Sequence, residues 1–273
     1  MWKPAIICGL FAAVAFLAAE GPVRHNSKPD TALATEDSSV TIGGEPAVTL
    51  SRPLPVDRSK PQFLEAVVLP GNGMDLLQVK AYLPGKGDID VLNAPDLQGA
   101  KDLLENQNDA FGNKSFSMGG AILLPYPNRI RGKLSADGKT LETMIDGKMM
   151  SLPANWKGKK PGAEVHAMHG LIMSAHFMDV HEHNGPAESV VSAILHGGNF
   201  DGHWPSKTDV GVRMILKNDA LDVIVTAKNV GAERLPMAIS FHPYFQFPSG
   251  ERAQVRLHLP ADMRTIVNNY DDV

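Results

Sequence analysis

The sequence predicts an all-β protein folded as a large antiparallel β-sandwich. Hydrophobic and polar residues alternate in several short runs, which is the pattern of a strand with one buried face. Turn-forming residue pairs separate these runs, and the chain contains 20 prolines, which disfavour long helices. Only residues 95–107 have the spacing of an amphipathic helix. Short strands joined by tight turns favour a sandwich or a barrel.

Four alternating runs predict individual strands. Residues 77–83 form the clearest run, with a hydrophobic residue at every second position. The runs 212–216 and 221–227 flank Asn218-Asp219, and we predict that they form a hairpin with a tight turn at that pair. Residues 253–259 alternate in the same way and predict one more strand.

Two Asp-Gly pairs, Asp137-Gly138 and Asp146-Gly147, predict two further hairpin turns. Glycine tolerates the positive φ that a two-residue hairpin loop requires. In the helical segment, Leu97, Leu103 and Leu104 lie on one side, so this helix is expected to pack against a sheet.

The composition excludes several classes of protein. The chain has 273 residues, of which 43% are hydrophobic and 21% are charged, as in ordinary globular proteins. Its net charge of −4 and the absence of a dense Lys/Arg cluster argue against binding to nucleic acid. Cys8 is the only cysteine, so the chain can form neither an intramolecular disulfide nor a cysteine-based metal site.

The chain divides into three parts. Residues 1–19 have a charged start at Lys3, an apolar run and small residues at Ala18-Ala19, which predicts a signal peptide and export to the periplasm or the outside. An uncleaved anchor is the alternative; after cleavage we expect no membrane association. Residues 20–45 are rich in polar and turn-forming residues and predict a flexible linker. Residues 46–273 form the predicted β-sandwich domain.

Eight of the ten histidines lie between His166 and His242, and this density favours either metal binding or proton transfer. A metal site would use His181, His183 and Glu188, since a His-x-His pair on a strand places both rings on one face. A turn signal directly follows the pair, however, which favours surface histidines at a hairpin tip. We therefore predict no metal site.

Proton transfer would use three separated segments. In the first, Asn128 and Arg129 interrupt an apolar run, and the arginine offers donors that suit sugar hydroxyls or a carboxylate. In the second, His169 precedes a glycine, which allows a close approach of backbone or ligand. In the third, His242 lies in an aromatic and apolar neighbourhood and precedes a proline. Taken alone, His242 is more typical of a structural core residue, and Arg129 suits a structural role as well as a functional one.

Together the three segments resemble the aldose 1-epimerase (galactose mutarotase-like) family. The motifs are NRIRG at residues 128–132, HG at residues 169–170 and HPYF at residues 242–245, in that order and spacing. The upstream stretch PGNGMDLLQVKAYLPGKGDIDVL also resembles the opening strands of the family. The resemblance extends over residues 62–273.

The resemblance implies a fold, an activity and a set of site residues. The family fold is a galactose mutarotase-like supersandwich that binds a sugar in a groove on one sheet. Its members interconvert the α and β anomers of a free aldose without a cofactor. By motif match, His242 is the acid that protonates the ring oxygen and His169 is a second active-site histidine. Arg129, Asn128 and Tyr244 match residues that contact the sugar, so the implied partner is a monosaccharide.

The sequence departs from the family at its downstream end. In the family the base is a glutamate well after HPYF, and a sugar-binding aspartate also lies there. The acidic residues after the motif here are Glu251, Asp262, Asp271 and Asp272, and none lies in a segment that matches the glutamate motif. The chain therefore looks truncated at its C-terminus, with the last strands of the sandwich missing, and we expect it to be weakly active or inactive.

Two other functions are compatible with the sequence. The same scaffold without catalysis would be a carbohydrate-binding protein, because a fold does not determine a function. A histidine- and glutamate-dependent metal enzyme is the second. The basic run at residues 157–160 suits either an anionic sugar or a solvated loop. The sequence determines neither the sugar nor the oligomeric state.

Overall fold

The computed structural model describes residues 40–52, 57–106, 110–247, 249–258, 260–264 and 266. The predicted signal peptide, and residues 20–39 of the predicted linker, lie outside them. The described part contains 18 strands, all paired antiparallel, and one α-helix, α1 (Leu97–Asn106). The predicted all-β, antiparallel class is confirmed.

The strands in chain order are β1 (Thr41–Ile42), β2 (Glu45–Pro46), β3 (Val48–Ser51), β4 (Gln62–Leu69), β5 (Asp75–Leu83), β6 (Gly87–Asp90), β7 (Gly120–Leu123), β8 (Arg129–Ile130), β9 (Lys133–Leu134), β10 (Thr140–Ile145), β11 (Lys148–Pro153), β12 (Trp156–Lys157), β13 (Val165–Met168), β14 (Met178–Asn184), β15 (Ser189–Gly198), β16 (Thr208–Leu216), β17 (Leu221–Asn229) and β18 (Ser240–Pro243).

Two larger sheets carry most of these strands. One has the order β18-β7-β5-β4-β3, with β6 also paired to β5, and the other is the meander β14-β15-β16-β17. Three smaller sheets have the orders β1-β2, β11-β10-β9 and β12-β13-β8. The strand order shows that β18, which is late in the sequence, pairs with β7 rather than with its chain neighbours. This long-range pairing places the third predicted segment at the edge of the six-stranded sheet.

The main hydrophobic core joins the two larger sheets. In β5, Val79, Ala81 and Leu83 are buried while Gln78 and Lys80 are partly exposed, so the predicted alternation of residues 77–83 is confirmed. Strands β15 and β16 alternate in the same way along most of their length. Core residues contributed by both sheets include Val48, Leu50, Val68, Val79, Val191, Ala193, Val210, Val212 and Met214.

The helix covers the opposite face of the six-stranded sheet. Asp96 caps it, since its side-chain oxygen accepts a 2.7 Å hydrogen bond from the Gly99 amide. Ala100 and Leu104 are buried in a second cluster with Leu69 and Leu77, while Leu97 and Leu103 pack against it as the sequence predicts. Among the residues that the structure describes, no helix combines the length and the hydrophobicity of a membrane span.

The predicted turns form where the sequence places them. The Lys217 amide donates to the Ala220 carbonyl at 2.8 Å, so Asn218-Asp219 is the two-residue loop between β16 and β17. Asp146 and Gly147 have φ values of 48° and 80° and join β10 to β11. Both residues lie in the left-handed region, which is the geometry of a tight hairpin turn.

The predicted linker extends too far toward the C-terminus. Strands β1 and β2 form a hairpin across Gly43, and Ile42 is only 1% exposed. A Cβ atom on Gly43 would lie 2.0 Å from the Gly71 carbonyl oxygen, so the chain already packs tightly here. The polar composition of residues 20–45 gives no sign of this hairpin. Ile42 is buried by residues distant in sequence, such as Leu69 and Leu77.

The strand predicted at residues 253–259 is wrong for the residues that the structure describes. Arg252–Gln254 form a 3₁₀ turn, and residues 255–258 belong to no strand. Val255 and Leu257 are 40% and 79% exposed, and Leu259 lies outside the described residues. Alternation produces a strand only where a neighbouring strand supplies hydrogen bonds, and no described strand pairs with this segment.

Candidate functional site

The two histidines singled out by the sequence meet at the junction of two sheets. His242 lies on β18, the edge strand of the six-stranded sheet, where it pairs with Ala121 of β7. His169 directly follows β13, the central strand of the small β12-β13-β8 sheet. Their ring centroids are 5.0 Å apart, with an angle of 58° between the planes. Residues far apart in sequence therefore form one cluster.

The backbone around His169 fixes its imidazole. His169 has a φ of 66°, which is uncommon for a residue with a side chain. Its amide donates to the Asn128 carbonyl at 3.0 Å, and its Nδ1 lies 2.9 Å from the Pro127 carbonyl oxygen. The next residue, Gly170, has a φ of 86°, and a Cβ atom there would lie 2.2 Å from the Leu124 carbonyl oxygen. The glycine of the HG pair therefore allows the backbone at Gly170 to pack directly against the backbone at Leu124.

Aromatic rings enclose the imidazole pair. The Phe116 ring lies 5.3 Å from His169 and 6.1 Å from His242, so it contacts both. The Tyr244 ring lies 5.2 Å from His242. Tyr244 is held by its backbone, since its amide donates to the Gly119 carbonyl at 2.8 Å. These rings exclude part of the surrounding water from both imidazoles.

This exclusion of water makes both histidines weakly basic. Burial lowers the pKa of His169 to about 4; the Pro127 carbonyl opposes this shift, and the positive charges of His242 and Arg129 add to it. Burial also lowers the pKa of His242. At neutral pH both rings are therefore neutral. Because the Pro127 carbonyl can only accept, the Nδ1 of His169 carries the proton, and its Nε2 is a hydrogen-bond acceptor.

His242 is held less tightly by the protein. Its Nδ1 atom is buried and has no hydrogen-bond partner among the described residues. An unpaired buried polar atom costs about 1–3 kcal/mol. Such an atom is common at functional sites, and the His242 ring is in contact with the rings of Phe116 and Tyr244.

Arg129 and Asn128 lie beside the histidines. Arg129 is on β8 opposite Met168, one residue before His169, and its guanidinium carbon stacks 4.0 Å above the centre of the Trp156 ring. The Nε atom of Arg129 is buried and has no partner among the described residues. Asn128 is partly buried and contributes its carbonyl to His169. The structure thus brings together all five residues proposed from the sequence.

Sequence reasoning missed two residues of this site. Phe116 lies in a one-turn 3₁₀ helix, Ser115–Ser117, and Trp156 lies on the two-residue strand β12. Neither belongs to a motif or to an alternating run. The only available signal was residue type, since Trp156 is one of three tryptophans and aromatic residues are frequent in ligand sites.

The candidate metal ligands remain apart. His181 and His183 are exposed on β14, the edge strand of the four-stranded sheet, and Glu188 faces Arg213 at 4.0 Å. In the described part of the chain, no three His, Cys, Asp or Glu side chains form a group that would hold a metal ion. The lysines of residues 157–160 are exposed.

No carboxylate is paired with either imidazole of the pair in the part of the chain that the structure describes. Within the described ranges, no Asp or Glu side chain forms a hydrogen bond or ion pair with His169 or His242. Glu251 and Asp262 are exposed, and Asp271 and Asp272 lie outside the described residues. The site therefore combines neutral imidazoles, one guanidinium and aromatic faces, a set suited to a neutral ligand rich in hydroxyl groups.

A comparison with protein families finds one match. The family described as aldose 1-epimerase matches residues 76–269, which include every residue of the site. No curated protein matches the chain significantly.

Several solved structures are similar at low identity. They include a galactose mutarotase-like protein from Clostridium acetobutylicum (22% identity, 68% of this chain, 50% of that chain, TM-score 0.49). A galactose 1-epimerase from Lactobacillus acidophilus matches with 16% identity, 76% of this chain, 55% of that chain and a TM-score of 0.45. An aldose epimerase homologue from C. elegans matches with 18% identity, 74% of this chain, 51% of that chain and a TM-score of 0.42. The chain spans about half the length of these solved structures.

Proposed function

The chain belongs to the aldose 1-epimerase family, and on this basis we propose that it binds a free aldose beside His169 and His242 and interconverts its α and β anomers. The observation that carries the proposal is the imidazole pair, 5.0 Å apart within an aromatic enclosure. Sugar rings present hydroxyl groups at their edges and C–H groups on their faces, and this site offers partners for both.

The reaction needs one proton removed and one supplied. Loss of the proton from the C1 hydroxyl and protonation of the ring oxygen break the bond between C1 and the ring oxygen and give an open-chain aldehyde. Rotation about the C1–C2 bond presents the other face of the carbonyl, and the reverse proton transfers close the ring. Each well-placed acid or base contributes about 10²–10⁴-fold to such a rate.

We assign the acid role to His242. A lowered pKa makes its imidazolium a stronger acid toward the ring oxygen, although a smaller fraction is protonated at neutral pH. Its Nδ1 has no hydrogen-bond partner on another described residue, and only its own backbone opposes the lowering of the pKa of His242. The Nε2 of His169 would accept a hydrogen bond from a sugar hydroxyl next to the ring oxygen, because its Nδ1 proton is engaged by the Pro127 carbonyl.

Arg129, Asn128 and Tyr244 complete the proposed binding site. The guanidinium presents several donors in a fixed plane, which suits the oxygen atoms of adjacent hydroxyl groups. The Asn128 amide both donates and accepts, and the Tyr244 ring lies against His242. No cofactor or metal is required by this chemistry.

One observation favours a weak catalyst. A base must take the C1 proton, and no carboxylate is among the groups that shift the pKa of either imidazole. Neutral His169 would be a poor base, since a group with a pKa of about 4 holds a proton weakly. The same observation favours the alternative, a carbohydrate-binding protein that does not catalyse.

Exchange NMR of the anomeric protons separates these functions. The chain is mixed with each of several free aldoses, and both the binding of the sugar and the exchange rate between anomers are measured. We expect binding and a rate above the uncatalysed one, reduced about 10²-fold or to background in His242→Ala. His196→Ala is the control, because His196 is exposed and paired with Asp209.

The outcomes are distinct. Binding without exchange identifies the carbohydrate-binding alternative. Equal exchange rates in His242→Ala and His196→Ala would show that His242 is not the acid. If no aldose binds, the proposed function is wrong.

A further inference from the structure

The Arg129 guanidinium stacks on the ring of Trp156. Its guanidinium carbon lies 4.0 Å above the centre of the Trp156 ring, well within the range of a cation–π contact. No carboxylate shares this guanidinium among the described ion pairs, although the nearby Arg131 pairs with Glu164 at 3.2 Å. Among the described residues, the stacked Trp156 ring is therefore the partner that contacts the Arg129 charge.

The Trp156 ring is itself held in place by neighbouring residues. Trp156 pairs with His166 across β12 and β13, and its ring lies 5.6 Å from the fully buried His166 ring. The preceding Asn155 bonds both backbone groups of Met168, through its oxygen at 2.7 Å and its side-chain nitrogen at 3.0 Å. Because Met168 pairs with Arg129, these contacts join the indole and the guanidinium through one small sheet.

We propose that Trp156 is a positioning residue for sugar binding, which holds the Arg129 guanidinium in the plane where its donors meet the hydroxyl groups of the aldose. This inference rests on the proposed function and extends it to a residue outside the three motifs. A guanidinium stacked on one face can still donate from its edge, so the stacking and the hydrogen bonds to sugar are compatible.

The alternative role for Trp156 is a direct stacking surface for the sugar. The geometry disfavours it, because the Arg129 guanidinium covers one face of the indole and the His166 ring also contacts it, at 5.6 Å between ring centroids. The two roles predict different responses when Arg129 is removed. If Trp156 acts through Arg129, its substitution matters only while the arginine is present.

A double-mutant cycle measures that dependence. Dissociation constants for the bound aldose are compared for the wild-type chain, Trp156→Leu, Arg129→Leu and the double variant. We expect Trp156→Leu to weaken binding about 3- to 30-fold, the range of a cation–π contact. The double variant should bind no more weakly than Arg129→Leu. Trp156→Phe should restore binding to within about threefold of the wild type, because it retains an aromatic face.

Arg131→Leu is the matched control. Arg131 lies on the same segment and is exposed, and its substitution should leave sugar binding unchanged. Additive effects of Trp156→Leu and Arg129→Leu would overturn the proposal while leaving the proposed function intact. Absence of aldose binding by the wild-type chain would overturn both.

Fluorine NMR provides a readout that does not depend on sugar. With 5-fluorotryptophan incorporated, the Trp156 signal is identified by its loss in Trp156→Phe. Arg129→Leu should shift that signal, since the charge above the ring is removed. The Trp204 signal should stay in place and report an intact core, because Trp204 is buried against Tyr126. An unshifted Trp156 signal in folded Arg129→Leu would overturn the proposal.

Discussion

The imidazoles of His169 and His242 lie 5.0 Å apart although they belong to different sheets. One follows a strand of the small β12-β13-β8 sheet and the other lies on the edge strand β18 of the six-stranded sheet. Phe116 contacts both rings and closes the cluster on one side. Protonation of either ring therefore places a positive charge beside the other in a partly dry environment.

The first prediction concerns the stability of the fold in acid. The pKa of His169 is about 4 in the folded chain and 6.5 for an ordinary histidine. Between these values the unfolded chain binds a proton that the folded chain does not. Stability should therefore be lost as the pH falls from about 6.5 to about 4, and urea unfolding midpoints across this range measure it.

His169→Asn tests the origin of that loss. Asparagine tolerates the positive φ of this position and does not titrate. The variant should show a smaller decrease in stability between pH 6.5 and pH 4 than the wild-type chain. A His169 Cε1 proton signal that titrates near pH 6.5 in the wild-type chain would refute the assignment.

The second prediction concerns Phe116. Phe116→Ala removes a ring from the surroundings of both imidazoles and admits water, which favours their charged forms. The pKa values of His169 and His242 should rise toward 6.5, as followed by NMR titration. Phe111→Ala is the control, because Phe111 is 39% exposed and contacts His203 instead. Unchanged pKa values of both histidines in Phe116→Ala would show that groups other than Phe116 exclude water from the two imidazoles.

The third prediction concerns Gly170. Gly170→Ala places a Cβ atom 2.2 Å from the Leu124 carbonyl oxygen at a φ of 86°. The matched control is Gly138→Ala, which also has a positive φ but open space around the Cβ. The control should cost about 1–2 kcal/mol of folding stability for the backbone alone. Gly170→Ala should cost about 1–3 kcal/mol more because of the clash, and equal urea midpoints would exclude that clash.

The fourth prediction concerns a buried hydroxyl. Tyr126 is 5% exposed, its hydroxyl has no hydrogen-bond partner among the described residues, and burial raises its pKa. Tyr126→Phe should leave stability unchanged or raise it by up to about 1 kcal/mol, since it removes an unpaired polar atom. Tyr82→Phe, at a partly buried ring under Arg58, should have little effect. A loss of more than about 1 kcal/mol in Tyr126→Phe would reveal a partner for the hydroxyl.

Local sequence patterns predicted the parts of the fold that depend on neighbouring residues. The alternation of residues 77–83, the turn at Asn218-Asp219 and the amphipathic helix are all present. The segment 253–259 shows the limit of this reasoning, since its alternation found no partner among the described strands. The hairpin at Thr41–Ile42 shows the converse, because a polar segment can supply one residue to a distant core.

The sequence by itself determined the all-β class, and the order of three short motifs predicted five residues of the candidate site. Only the tertiary structure decided that Phe116 and Trp156 join that site, that His169 carries its proton on Nδ1, and that the candidate metal ligands stay apart. The reason is physical: periodicity along the chain records which face of a strand is buried, whereas the pairing of β18 with β7 and of β8 with β13 arises from contacts between distant segments.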